Sequence, residues 1–276
     1  MAQVFRLDRA LIRVSGPDCV SFLNNLLTQN VERLDAPRYA ALLSPQGKVI
    51  TDMYVWPVAD GVVIDADATR GADLLRRLSM YKLRADVVVA DASDALCALY
   101  SDTPFEGAAA DPRLPNGTLG WRKLAPITET QILADGAGVY DSRRLAMGVP
   151  DLARDAAPEE VFAGEALLEE LRGVDFQKGC FVGQENVSRM KRRATTRRKF
   201  CPISFTGRPP SFGAAIKAGD AEIGTVRTGA HGRAIALMRL DRAFELSANG
   251  ARLTVEDREI RLDPPPWLIL PSREAP

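Results

Sequence analysis

The sequence predicts an α+β protein that ends in a small antiparallel β-barrel or sandwich. Two observations carry the α+β part. Apolar residues recur at helical spacing in three stretches, and alternating runs separated by turn residues lie between and after them. A third carries the ending: from Lys199 to Leu270 the chain becomes short apolar runs divided by glycine and proline, the pattern of a closed or stacked sheet.

Leu7 to Val14 alternates and reads as a strand. Ser15-Gly16-Pro17-Asp18 then supplies helix-start chemistry, and Val20, Leu23, Leu26 and Leu27 put an amphipathic helix over 17–31. Tyr39 to Leu43 is a short strand, Ser44-Pro45-Gln46-Gly47 a turn, and Lys48 to Pro57 a second strand. Asp60-Gly61 is a hairpin signal, with Val62 to Ala66 returning. Leu74, Leu75, Leu78 and Tyr81 line one face of a helix over 69–83. Val87 to Ala90, Ala95 to Tyr100 and Leu119 to Leu124 read as strands, and Asp141 to Met147 as a short helix stopped by Gly148. Early acids and the spacing of Val161, Leu167, Leu168 and Leu171 predict a helix over 158–171. A helix is also expected near Leu240 to Leu246.

At 276 residues the chain has room for two or three domains. Lys plus Arg equal Asp plus Glu, so no global field favours nucleic acid or an anionic membrane. Nothing at the N-terminus has the apolar core of a signal peptide, and no apolar run is long enough to span a bilayer. The expected location is therefore the cytosol. The four cysteines form no C-x-x-C pair and His231, the one histidine, reads as a turn residue, so no stable metal site is expected.

Chemistry concentrates in Lys178-Gly179-Cys180-Phe181-Val182-Gly183-Gln184-Glu185. Glycine leaves Cys180 uncrowded, and Lys178 is near enough in sequence to favour the thiolate, the form that attacks or binds metal. Cys19, Cys97 and Cys201 read instead as small buried hydrophobes. A second stretch, Ser44 to Asp52, is either a plain turn between strands or a pocket rim, with Gln46 and Lys48 at its mouth and Asp52 within. One carboxylate there can hold a polar heterocycle or move a proton. The basic run from Arg189 to Lys199 is either a solvated face or an anion site; few aromatics interleave it.

The octapeptide resembles the K-G-C-[FY]-x-G-Q-E motif of the YgfZ-type folate-binding proteins, relatives of the aminomethyltransferase (T-protein) of the glycine cleavage system. The likeness extends through Arg13 to Val31, Leu42 to Asp52 and Gly213 to Leu237. It implies a three-domain T-protein-like ring: residues 1–40 with 112–195 as a discontinuous first α+β domain, 41–111 as the second, and 196–276 as a C-terminal antiparallel β-barrel. It also implies a tetrahydrofolate or related folate as cofactor, and a role in assembling or repairing iron–sulfur enzymes, including those that modify tRNA. Cys180 takes the motif's functional position, with Lys178, Gln184 and Glu185 as its neighbours. Asp52 stands where T-proteins hold a catalytic aspartate. Cys180, Lys178 and Asp52 are thus the expected catalytic residues, and Gln46, Lys48, Asp52, Gln184 and Glu185 the expected folate contacts.

One departure separates the rivals. Where T-proteins carry a pterin-anchoring carboxylate, the stretch Arg143 to Gly148 has Ala146, which accepts no side-chain hydrogen bond. That favours an accessory factor acting through Cys180, with iron–sulfur enzymes or assembly proteins as partners. The alternatives are a folate-dependent aminomethyl or methyl transferase, and an RNA- or protein-binding module acting through 189–199.

Overall fold

The computed structural model describes residues 2–193 and 196–270. It is an α+β structure of two antiparallel sheets and a closed barrel. The first sheet has five strands in the order Arg38–Leu43, Val49–Val58, Gly61–Asp67, Arg9–Ser15 and Val88–Asp91. Helices Cys19–Leu26 and Ala68–Tyr81 cover one face of it: Phe22, Leu23, Leu26, Leu74 and Leu78 bury against Ile12, Val14, Met53, Val55, Val62 and Ile64. The alternate residues of the same strands face a second core, as the two-residue period of a strand requires.

The second sheet has four strands, Phe5–Leu7, Leu96–Ser101, Trp121–Pro126 and the short Ala109–Ala110. The helix Ala137–Met147 follows and ends as expected at Gly148. The barrel closes six antiparallel strands, from Arg198–Ser204 to Arg258–Leu262, whose edges pair at Ile203 with Leu262 and Ser204 with Arg261. Closure removes the open edges that a sandwich would leave. The helix Leu240–Ala248 caps it, burying Leu240 and Ala243.

The strand Arg38–Leu43 runs through residue 40, and one sheet joins residues 9–15 to 61–67 in register. Two expectations about elements change. No α-helix spans 158–171: the segment is a chain of turns in which Glu159 and Leu167 hold positive φ. Val161, Leu167, Leu168 and Leu171 are buried as expected, but irregular backbone buries them. A helix not expected from the sequence lies at Gln184–Arg192, running from the end of the octapeptide into the basic run.

Candidate functional site around Cys180

The thiol loop, residues 178–183, is built on the end of the helix Cys19–Leu26. A helix C-terminus leaves carbonyls without partners. Lys178 supplies donors for that region: its Nζ reaches the oxygens of Asn24 at 2.7 Å, Leu27 at 2.6 Å and Gln29 at 2.9 Å. Burial lowers its ammonium to about 8, against the pull of Asp175 and Glu32, while three carbonyls accept from all three of its protons. Lys178 is therefore an anchor. Its protons are directed at carbonyls behind the loop.

Further backbone bonds stitch the segment to the same region. Asp175 N donates to Thr28 O at 3.0 Å, and Val182 N to Asn25 O at 3.2 Å. The Asp175 carboxylate accepts from the backbone N–H groups of Gln177 and Lys178, which fixes the turn leading into the loop. Cys180 itself is exposed, and a Cβ added at Gly179 would meet nothing within 4 Å. Cys19, Cys97 and Cys201 are all buried, as the sequence predicts for them.

The turn 44–48 closes the other side. Gly47 and Gly183 both hold positive φ and stand back to back: a Cβ on Gly183 would lie 2.6 Å from Ser44 O and 3.0 Å from the Gly47 Cα. Only glycine fits both the conformation and the gap. The two motif stretches singled out in the sequence therefore touch. Yet their side chains do not converge. Gln46 and Glu185 are exposed, Gln184 is half-buried, and Lys48 lies 5.5 Å from the Phe162 ring centroid.

Asp52 lies elsewhere. Its carboxylate accepts from Tyr39 Oη at 2.9 Å, and burial, then the nearby Asp151 charge, raises its pKa above the ordinary value. The cavity it lines is small, about 10 Å³, roughly the space of one water, and none of Gln46, Lys48, Gln184 or Glu185 lines it. A pterin does not fit there in this arrangement, and no step is derived through folate.

Behind Asp52 sits a feature that the sequence does not announce. Asp111 binds Arg113 at 2.8 Å and Arg122 at 2.9 Å, and accepts from Tyr54 Oη at 2.9 Å. The Arg122 guanidinium carbon stands 4.2 Å from the Tyr54 ring centroid and 4.9 Å from that of Tyr140. Its two terminal nitrogens have no hydrogen-bond acceptor and lie among ring faces, which attract cations. Arg113 donates to Tyr140 Oη and stacks near Tyr39 and Tyr54. These groups come from both sheets and one helix. They run from Tyr39 to Tyr140, so spacing in the sequence gives no signal.

The basic run divides. Lys191 pairs with Glu169 at 2.8 Å, Arg198 with Glu165 at 2.8 Å and Lys199 with Glu170 at 2.6 Å. Arg189, Arg192 and Arg193 are exposed; residues 194 and 195 of the run lie outside the described residues. Among the described residues no group of three His, Cys, Asp or Glu is placed to hold a metal ion, and no helix is long and apolar enough to cross a membrane.

Comparison with known proteins now adds to this geometry. The aminomethyltransferase T of Bartonella henselae superposes with a TM-score of 0.73, covering 97% of this chain and 87% of that one at 17% identity. The chain has an aminomethyltransferase-like fold. Residues 197–269 match the family model "CAF17, C-terminal beta-barrel domain". By sequence the chain is similar to mitochondrial iron–sulfur cluster assembly factors: 29% identical to the IBA57 homolog of Pyricularia oryzae, over 88% of this chain and 73% of that protein. It is likewise 29% identical to human IBA57, over 85% of this chain and 76% of that one. These relatives carry mitochondrial names, which overturns the cytosolic expectation.

Proposed function

We propose that the chain is an accessory factor for iron–sulfur cluster assembly in which Cys180 is the working thiol. One observation carries this: a single exposed cysteine, on a loop pinned from behind by three Lys178 hydrogen bonds, in a chain whose other cysteines are buried. Similarity to proteins named as cluster assembly factors supports it. The octapeptide aligns it with the YgfZ-type proteins in particular.

Chemistry limits what one thiol can do. Clusters are held by about four ligands, mostly thiolates. A chain with one accessible thiol can supply one ligand, so the cluster is cargo shared with a partner that brings the others. Cys180 loses its proton and binds one iron while the partner's ligands keep the rest; reversal passes the cluster on. Lys178 and the Gly47–Gly183 contact hold the loop so that this exchange needs no rearrangement. Tetrahydrofolate enters the proposal only as a ligand of a form in which the Asp52 cavity has opened.

Replacing Cys180 by Ala tests the role. The variant is expected to keep the wild-type melting temperature, since exposed substitutions change stability by about 0.5 kcal/mol or less. It is expected to fail to restore cluster-enzyme activity in a strain lacking the chain. Full rescue by the variant removes Cys180 from the mechanism.

A further inference from the structure

The helix Gln184–Arg192 carries its exposed charge on one side. At about 100° per residue, Glu185, Arg189 and Arg192 fall in one narrow stripe, opposite the buried Val187. Arg193 follows at the helix end. The inner cations of the same run are neutralised in place by Glu169, Glu165 and Glu170. The outer ones are not. Arg192 and Arg193 make no ion pair among the described residues, and Arg189 bonds only its neighbour Asn186. A chain of zero net charge thus sets three uncompensated arginines side by side, on the helix that begins where the thiol loop ends.

We infer that this arginine stripe docks an acidic surface on the protein that shares the cluster with Cys180. The inference rests on the cluster reading above and adds to it the kind of surface the partner must present. Guanidinium forks match carboxylates in pairs, and complementary charge fixes the register of two proteins as well as their rate of encounter. The stripe is about 12 Å long at 1.5 Å per residue. The partner's cluster ligands therefore meet the Gln184 end and its acids the Arg192 end. Glu185 at the thiol end repels an acid placed there, which opposes the reverse orientation.

RNA is the less favoured occupant. No aromatic residue interleaves Arg189 to Arg193. Arg198 and Lys199, which would extend a phosphate track, are already paired with Glu165 and Glu170. The competing explanation without any partner is the helix dipole, which favours cations in a last turn. That effect acts on stability alone and is indifferent to association.

The experiment places a photo-reactive phenylalanine at Ser188, beside the stripe, in the full-length chain inside cells. The expected product is a cross-link to an acidic peptide of a cluster-carrying protein. Reversing the stripe (R189E, R192E and R193E together) is expected to reduce it about tenfold or more, while alkylation of Cys180 by iodoacetamide stays within about twofold of wild type. Changing the acids of the cross-linked peptide to lysine is expected to restore the link to the reversed chain. A cross-link untouched by charge reversal, or one to RNA, overturns the inference. A separate arm measures rescue of cluster-enzyme activity. Wild type restoring it while the reversed chain does not supports the surface, and both restoring it equally overturns the surface alone. Wild type failing to restore it removes the cluster reading, and the cross-link still decides whether the stripe docks an acidic protein.

Discussion

At the thiol loop, Lys178 gives its three protons to backbone carbonyls and leaves Cys180 in solvent. In the arginine–tyrosine cluster, Arg113 and Arg122 give theirs to Asp111, Tyr140 and ring faces, and both side chains are almost wholly buried. Both regions are rich in charge, and both contain residues that look catalytic in isolation. The difference shows where function can reside. A buried cluster whose charges face one another and ring faces resists exchange with anything outside; a loop whose support is entirely on its inner side leaves its outer side free to react.

The largest test of this contrast is Asp111→Asn. It strips the shared carboxylate from two buried guanidinium groups, and breaking such a pair costs about 3–5 kcal/mol. Chemical denaturation should show that loss. The Arg113 and Arg122 charges and their hydrogen bonds hold Asp111 well below the usual carboxylate range despite its burial. Its folded value is the lower one, so its contribution is fully present above about pH 4 and lost as pH falls further. The wild-type chain should destabilise more steeply in acid than Asp111→Asn.

Lys178→Met comes next. It leaves three carbonyls near the helix end without their donor, at about 1–3 kcal/mol for an unsatisfied buried group. The loop should loosen, so amide exchange at Val182 should quicken more than exchange in the barrel. Equal quickening in both would mean that the lysine supports the whole fold and not the loop.

Gly183→Ala is expected to cost about 1–2 kcal/mol, since a side chain there is strained by positive φ and meets Ser44 O. Iodoacetamide labelling of Cys180 should change in rate, because the loop must shift to admit the methyl. Asp52→Asn should have the smallest effect, and in the opposite direction. Burial raises the Asp52 pKa, so its charged form opposes folding, and that penalty grows as pH rises through the folded value. The amide still accepts from Tyr39. A slightly higher melting temperature at pH 7 is expected, with Cys180 labelling unchanged. A tetrahydrofolate titration on the same variant reports whether the cavity ever opens: binding that survives the substitution places the ligand away from Asp52.

Much of the fold could be read from local signals. Asp60-Gly61 marks the turn between Val49–Val58 and Gly61–Asp67, Gly148 ends the helix at Met147, and the glycine-divided runs after residue 199 do form a barrel. The exposed thiol and the buried ones also separate as their neighbours suggest. What fails is whatever depends on distant partners. The spacing over 158–171 imitates a helix, but Val49 O accepts from Glu159 N and Gly47 O from Ala163 N, so the first hairpin claims that backbone. The charged sequence 184–192 hides a helix because only Val187 is buried on it. The adjacency of Lys178 and Cys180 suggests a pair, yet the lysine belongs to a segment about 150 residues earlier.

That last separation also constrains when the thiol becomes competent. The three oxygens that hold Lys178 lie 149 to 154 residues before it. Closing so long a loop is slow and entropically costly, and such contacts form late. Cys180 therefore acquires its fixed presentation only after the helix Cys19–Leu26 and the turn at Gly47 are in place. A partly folded chain carries the thiol without the platform, so a partner that reads the platform would distinguish finished chains from unfinished ones.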